Sequence, residues 1–424
     1  MKKILRNCIW IVPAGILLGF LLLLLSFLFP GALCARQEKA AAAILKEEGT
    51  YPLEIYSQRQ MDNYTDSLML LEAADEGTES LLDKAVNIYH TAEKGRSPAA
   101  TLADQLEPGT VKTYRNAYSR YWHGFLIFLK PAYALLGFNG IRTLNLAIQH
   151  GLLTALLLLL YRRRTACLLP FLLTVLFLAP TAIGKSLQFS SVYYIILIES
   201  ILLLWNPKQL LSGDRVGYLF LFSGMLTAYL DLLTYPTAAL TVPLVLLCVR
   251  ELREETGRRE ALRRMLLCVL LWFVGYAGMW AGKWLIAAAY NGGDFVTGLL
   301  NTMKKRTSET NAYRDHVSRG RALWVNIKMM FENRHLLLLT AFYAIAQSAL
   351  CLRSRGGTGK GYGAGLLLFL IPAAVPVGWN LLLSNHGTIH CWFTYRALAP
   401  ALFSLLTALS LAAGRGEERE KRNG

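Results

Sequence analysis

Two aspartates four residues apart, Asp62 and Asp66, stand in the polar stretch that follows the first apolar run. Carboxylates of this kind can take the proton of an attacking hydroxyl, or hold a hard cation such as magnesium or manganese through oxygen ligands. Each also reads as a helix N-cap, because Thr65-Asp66-Ser67-Leu68 looks like a helix start and aspartate caps well. Further along, Arg120, His123, Lys185, Gln188, Asp231, Tyr235, His386, His390 and Arg396 are polar residues set against apolar runs. Arginine in such a place suits a phosphate, and Arg396, at the start of the last apolar run, could grip one bidentately. His386 and His390 could share a helix face and a zinc ion, although no third ligand is visible nearby. Tyr121, Trp122 and Lys130 fit ordinary anchoring at a membrane interface.

The elements that must position these residues are apolar helices. Of 424 residues, 54% are hydrophobic and 17% charged, with a mean hydropathy of +0.36. A soluble domain carries roughly a quarter of its residues charged, so the composition indicates an all-α polytopic membrane protein. The net charge of +16 falls in short clusters between apolar runs, as a positive-inside bias does, and not as a nucleic-acid surface. Five cysteines lie in or at the ends of apolar runs; Cys34 and Cys391 come out near the outer face, where a bridge would be permitted.

Lys2, Lys3 and Arg6 place the N-terminus in the cytoplasm, before an uncleaved first span in residues 1–30. Residues 31–141 form an extracytoplasmic loop that is helical in pattern, with juxtamembrane helices at its end. Residues 142–413 hold about nine further spans, including an outer loop over 290–335, and residues 414–424 form a cytoplasmic tail. Arg162-Arg163-Arg164, the arginines between 250 and 264, and Arg353 with Arg355 mark inner loops. Lys304-Lys305-Arg306 runs against that trend. Arg355-Gly356-Gly357-Thr358-Gly359-Lys360 lacks the spacing of a nucleotide loop and reads as an inner turn. With about ten spans and both termini inside, the polar residues named above all come out on the outer face, although none was used to assign it.

The stretch from Tyr118 to Asn145 closes the first outer loop. Its apolar half, broken by Lys130-Pro131, is too short to cross a bilayer, and Gly137, Asn139 and Gly140 break the chain before Arg142 opens a full span. This order resembles the GT-C class of membrane glycosyltransferases, which use polyprenyl-phosphate-linked sugars. Such enzymes place a catalytic acid in the first outer loop, follow it with juxtamembrane helices and a histidine segment, and start the second span with an arginine. Asp62 or Asp66 matches the acid, His123-Gly124-Phe125 the histidine segment, Arg142-Thr143-Leu144-Asn145 the start of the span, and Lys185 to Tyr194 a basic-aromatic turn. Gly124-Phe125 stands where the family has paired prolines, and no large soluble domain follows the last span.

The resemblance implies sugar transfer from the lipid carrier to a glycan, lipid or protein acceptor at the outer face, with inversion. Asp62 or Asp66 would act as base, and Arg396 with Lys185 or Arg120 would steady the departing phosphate. One outward cavity is then expected to hold an aspartate, His123 and Arg396 together. The rival readings are a transporter or flippase for lipid-linked glycans, which needs deep ionisable residues such as Glu199 or Lys283, and a polymerase of lipid-linked repeats.

Overall fold

The computed structural model describes residues 2–53, 56, 59–104, 113–163, 165–205, 215–309, 318–353 and 365–423. Arg164 and the 355–360 turn lie outside these residues. The chain is a helical, membrane-embedded protein. Among the described residues, six helices are long and apolar enough to cross a membrane, and three shorter apolar helices accompany them.

The first helix, α1 (Lys2–Ser26), leads into the loop domain: α2 (Gly31–Ala35), α3 (Glu38–Glu48), α4 (Asn63–Ala73), α5 (Leu81–Asn87) and α6 (Pro98–Asp104). The loop is not helical throughout. Strands β1 (Tyr89–Glu93) and β2 (Thr113–Ala117) pair antiparallel, with Tyr89 opposite Ala117 and Glu93 opposite Thr113. Helical periodicity missed this ribbon because both strands are short and their polar side chains carry no alternating apolar face. Arg115 of β2 ties it back to the connection between α4 and α5, donating to Asp75 and, at 2.7 Å, to Glu79.

Helix α7 (Leu126–Arg162) contains the expected break: Gly137 has φ 66° and ψ 178°, so a short helix turns into a long one there. The bundle continues with α8 (Leu168–Leu178), α9 (Pro180–Lys185), α10 (Leu187–Trp205), α11 (Val216–Leu230), α12 (Thr237–Arg253) and the 34-residue α13 (Arg258–Asn291). Helices α11 and α13 pack backbone against backbone: a Cβ on Gly224 would lie 2.1 Å from the Trp272 carbonyl oxygen. Small residues permit this approach, which is how helices associate where no hydrophobic force separates protein from lipid. Then come α14 (Gly293–Thr307), α15 (Arg319–Met330), α16 (Arg334–Arg353), α17 (Leu370–Leu382), α18 (Ser384–Ile389), α19 (Cys391–Thr394) and α20 (Ala399–Asn423).

Alternate connections meet at one end of this bundle, together with the loop domain. Lys283 near the end of α13 donates to the Val86 and Ala85 carbonyls of α5 at 2.7 and 3.2 Å, so this buried lysine caps a loop-domain helix. The Trp122 indole donates to the Met279 carbonyl at 2.7 Å. Gly124 is fixed by a close backbone approach. Its N–H donates to the Tyr229 carbonyl at 3.0 Å, and a Cβ would meet the Tyr229 ring at 2.3 Å. A proline there would lack the donor. Cys34 and Cys391 are not bridged; the Cys34 thiol donates to the Lys130 carbonyl at 3.3 Å.

Candidate functional site

The loop end of the bundle gathers most of the expected site residues, but in three separate settings. The first surrounds α4. Asp62 is its N-cap: Oδ1 accepts from the Thr65 N–H at 3.0 Å and Oδ2 from the Thr65 hydroxyl at 2.8 Å. Asp66, one turn on, serves another helix. Its carboxylate accepts from the N–H groups of Leu187 and Gln188 at 3.0 and 3.1 Å, and from the Ser186 hydroxyl at 3.2 Å. These are the orphan donors at the start of α10, where the helix dipole favours an anion. Burial nevertheless pushes Asp66 up to about 7, and it pushes Asp62 up to about 6. Arg142 anchors the same corner, donating to both Glu48 oxygens at 2.8 and 2.9 Å and to Asn63 at 2.8 Å.

Aromatic rings continue outward from Asp62. Its charge is felt by Tyr51, whose hydroxyl burial pushes up to about 12. Tyr51 stacks on Tyr64 at 6.4 Å and meets Trp392 edge-on at 5.4 Å. Tyr51 and Tyr64 are 47% and 40% exposed, so the row presents open ring surface beside a nearly buried carboxylate. Lys185, half-buried, precedes the Ser186 that touches Asp66.

The second setting holds α18 and α14. His386 Nε2 donates to the Leu233 carbonyl at 3.0 Å, which leaves Nδ1 as the acceptor for Arg306 Nη1 at 2.9 Å. The ring is therefore neutral, and burial with the Arg306 charge holds it well below the usual histidine range. His390 is pushed down to about 4 by burial and by Arg306, and stacks on Phe393 at 5.2 Å. Arg306 Nη2 also donates to the Tyr121 hydroxyl at 2.7 Å, and Asn385 donates to the Lys305 carbonyl at 2.6 Å. The basic run that breaks the positive-inside trend thus latches α14 onto α18. Arg120 donates to Thr302 of α14 at 3.2 Å. Asp231 folds back on its own turn, accepting from the Thr234 N–H at 3.0 Å and from the Thr234 hydroxyl, and burial pushes it up to about 7. The cavity beside His386 measures about 10 Å³, room for one water.

The third setting belongs to His123. Its Nε2 faces the Tyr118 carbonyl at 3.0 Å and its Nδ1 faces Glu72 at 2.9 Å, both within the protein interior. Both neighbours accept, so the Nδ1–Oε2 contact needs a proton on one of the two groups.

Several expectations are corrected by this geometry. Arg396 does not open onto the outer face: it is fully buried, lies over the Phe189 ring at 4.6 Å and the Tyr395 ring at 5.1 Å, and donates to the Leu178 carbonyl at 3.0 Å. His123 belongs to Glu72 and not to the aspartates. Tyr235 is enclosed, donating to the Phe189 carbonyl at 2.7 Å. The cavity beside His386 is lined by none of Asp62, Asp66, His123 and Arg396. The oxygens of both aspartates accept from N–H and O–H donors of the protein. Both His386 nitrogens are engaged, which removes the zinc pair. No group of three or more ligating residues suited to a metal occurs among the described residues.

Sequence reasoning missed Tyr51, Tyr64, Arg306 and Glu38. The violated charge rule marked Arg306; the tyrosines carried no signal. Glu38 lines a polar cavity of about 320 Å³ with Asp75, Glu76 and Arg115, and burial together with Glu76 pushes it up to about 7.

Fold and site together define a helical membrane protein with a loop domain packed on one end of its bundle. No family model, curated protein or solved structure matches the chain.

Proposed function

We propose that this protein is a GT-C-type glycosyltransferase that crosses the cell membrane about ten times, with both termini cytoplasmic and the loop end extracytoplasmic. It moves a sugar from a polyprenyl-phosphate carrier onto a glycan, lipid or protein acceptor, with inversion. The observation that carries this reading is a buried Asp62 carboxylate pushed up to about 6, beside the exposed rings of Tyr51 and Tyr64. A base works best when its pKa lies near the working pH, and open aromatic faces suit the apolar face of a sugar.

In the proposed step the acceptor oxygen attacks the anomeric carbon while Asp62 takes the hydroxyl proton. The carbon–oxygen bond to phosphate breaks, and the polyprenyl phosphate leaves with the electron pair, its charge offset by Lys185. Asp66 holds α10 in place beneath. Arg306 and His386 position α14 over the last outer turn.

The test is release of sugar from a labelled polyprenyl-phosphate donor by purified protein. Turnover by the parent and its loss in Asp62→Asn supports the reading. No turnover with any donor, but movement of the lipid across vesicle bilayers, moves the assignment to a flippase; Glu199, buried in α10 and facing Ser223, favours that rival. A second transferase reading puts the base at Glu38, because its cavity is roomier. Activity lost in Glu38→Gln and kept in Asp62→Asn would select it.

A further inference from the structure

At the opposite end of the bundle, α7, α10 and α12 enclose a cavity of about 180 Å³. Leu203, Leu204, Leu246 and Leu247 form its apolar floor, and Arg163, Arg250 and Arg253 stand at its rim against one carboxylate, Glu254. Helix ends orient the guanidinium groups. Arg163 donates to the Trp205 carbonyl at 3.4 Å, Arg253 to the Arg163 carbonyl at 3.2 Å, and Arg250 to Glu254 at 2.7 Å. Cations at helix C-termini are expected from the dipole alone. What the dipole does not account for is a hollow lined with leucine directly beneath them.

We propose that this cavity binds an anionic glycerophospholipid, its phosphate at the arginines and the first part of an acyl chain on the leucine floor. Guanidinium groups match phosphate oxygens in shape and charge, and three of them line this cavity. The positive-inside rule puts this end in the cytoplasmic leaflet, whose anionic lipids attract such clusters. The inference rests on membrane embedding and not on sugar transfer.

The test is native mass spectrometry of the full chain in detergent with phosphatidylglycerol or phosphatidylcholine of identical acyl chains. The parent is expected to retain the anionic lipid roughly tenfold better. Arg163→Gln with Arg253→Gln should abolish that preference, and Leu204→Trp, which fills the floor and keeps the arginines, should also abolish it. Arg258→Gln with Arg259→Gln, exposed at the same end but outside the cavity, should leave it intact. Equal retention of both lipids by the parent overturns the proposal. So does a preference that survives both cavity variants, or one that the outside pair removes equally well. Displacement of the lipid by millimolar inorganic phosphate would also overturn it, because the apolar floor would then contribute nothing.

Discussion

The two ends of the bundle use polar residues differently. At the arginine-rich end, Arg263–Glu260 and Arg250–Glu254 are one helical turn apart and partly exposed, at 2.7 Å each, while Arg264 of α13 reaches the buried Glu251 of α12 at 2.6 Å. At the loop end the polar groups are enclosed and join distant parts of the chain, as Asp66 does with α10, Arg142 with α3 and α4, and His386 with Arg306. Polar residues near spans are read as functional by default, yet here most of those at the loop end hold the fold. What distinguishes Asp62 is not its charge but its setting, with the open rings of Tyr51 and Tyr64 on one side.

Substitutions can break or sharpen this contrast. The largest effect is expected for Asp62→Asn, a drop of about 10²–10⁴-fold in sugar transfer with little change in melting temperature, because asparagine caps a helix as well as aspartate. Asp66→Asn should do the reverse. An amide in that pocket turns a donor toward an N–H, costing about 1–3 kcal/mol of stability in thermal unfolding. Next comes Tyr51→Ala, expected to raise the donor KM about tenfold with kcat nearly unchanged, the mark of lost ground-state stacking. The smallest effect, within about 0.5 kcal/mol, is expected for Arg263→Ala, because its pair is exposed.

The pH dependences should have opposite signs. Asp62 and Asp66 have folded pKa values raised to about 6 and about 7, above the ordinary 3.8 of an unfolded chain. The folded state therefore binds more protons between about pH 4 and 7, and stability falls as pH rises through that window. Activity should instead rise through about pH 6 as the base ionises. Asp66→Asn should flatten the stability curve and leave the rising limb of the rate in place.

Much of the fold was legible in the sequence, because its signals are local. Apolar runs marked the helices, and Gly137 marked the break in α7. The gathering of alternate connections at one end followed from the arginine clusters at the other. The site was less legible, since each role depends on a partner far along the chain. Nothing near Asp66 says that Leu187 and Gln188 will present bare N–H groups to it, and nothing near Arg396 says that Phe189 will cover it. The β1–β2 ribbon was hidden for the same reason, its strands being separated by α6.

The most direct test compares Asp62→Asn and Asp66→Asn with the parent, reading labelled-sugar transfer and melting temperature on the same preparations. Asp62→Asn is expected to lose transfer and keep its melting temperature. Asp66→Asn is expected to melt earlier yet transfer sugar below its melting point. Full transfer by Asp62→Asn, or a stable but inactive Asp66→Asn, would contradict the assignment of chemistry to one aspartate and architecture to the other.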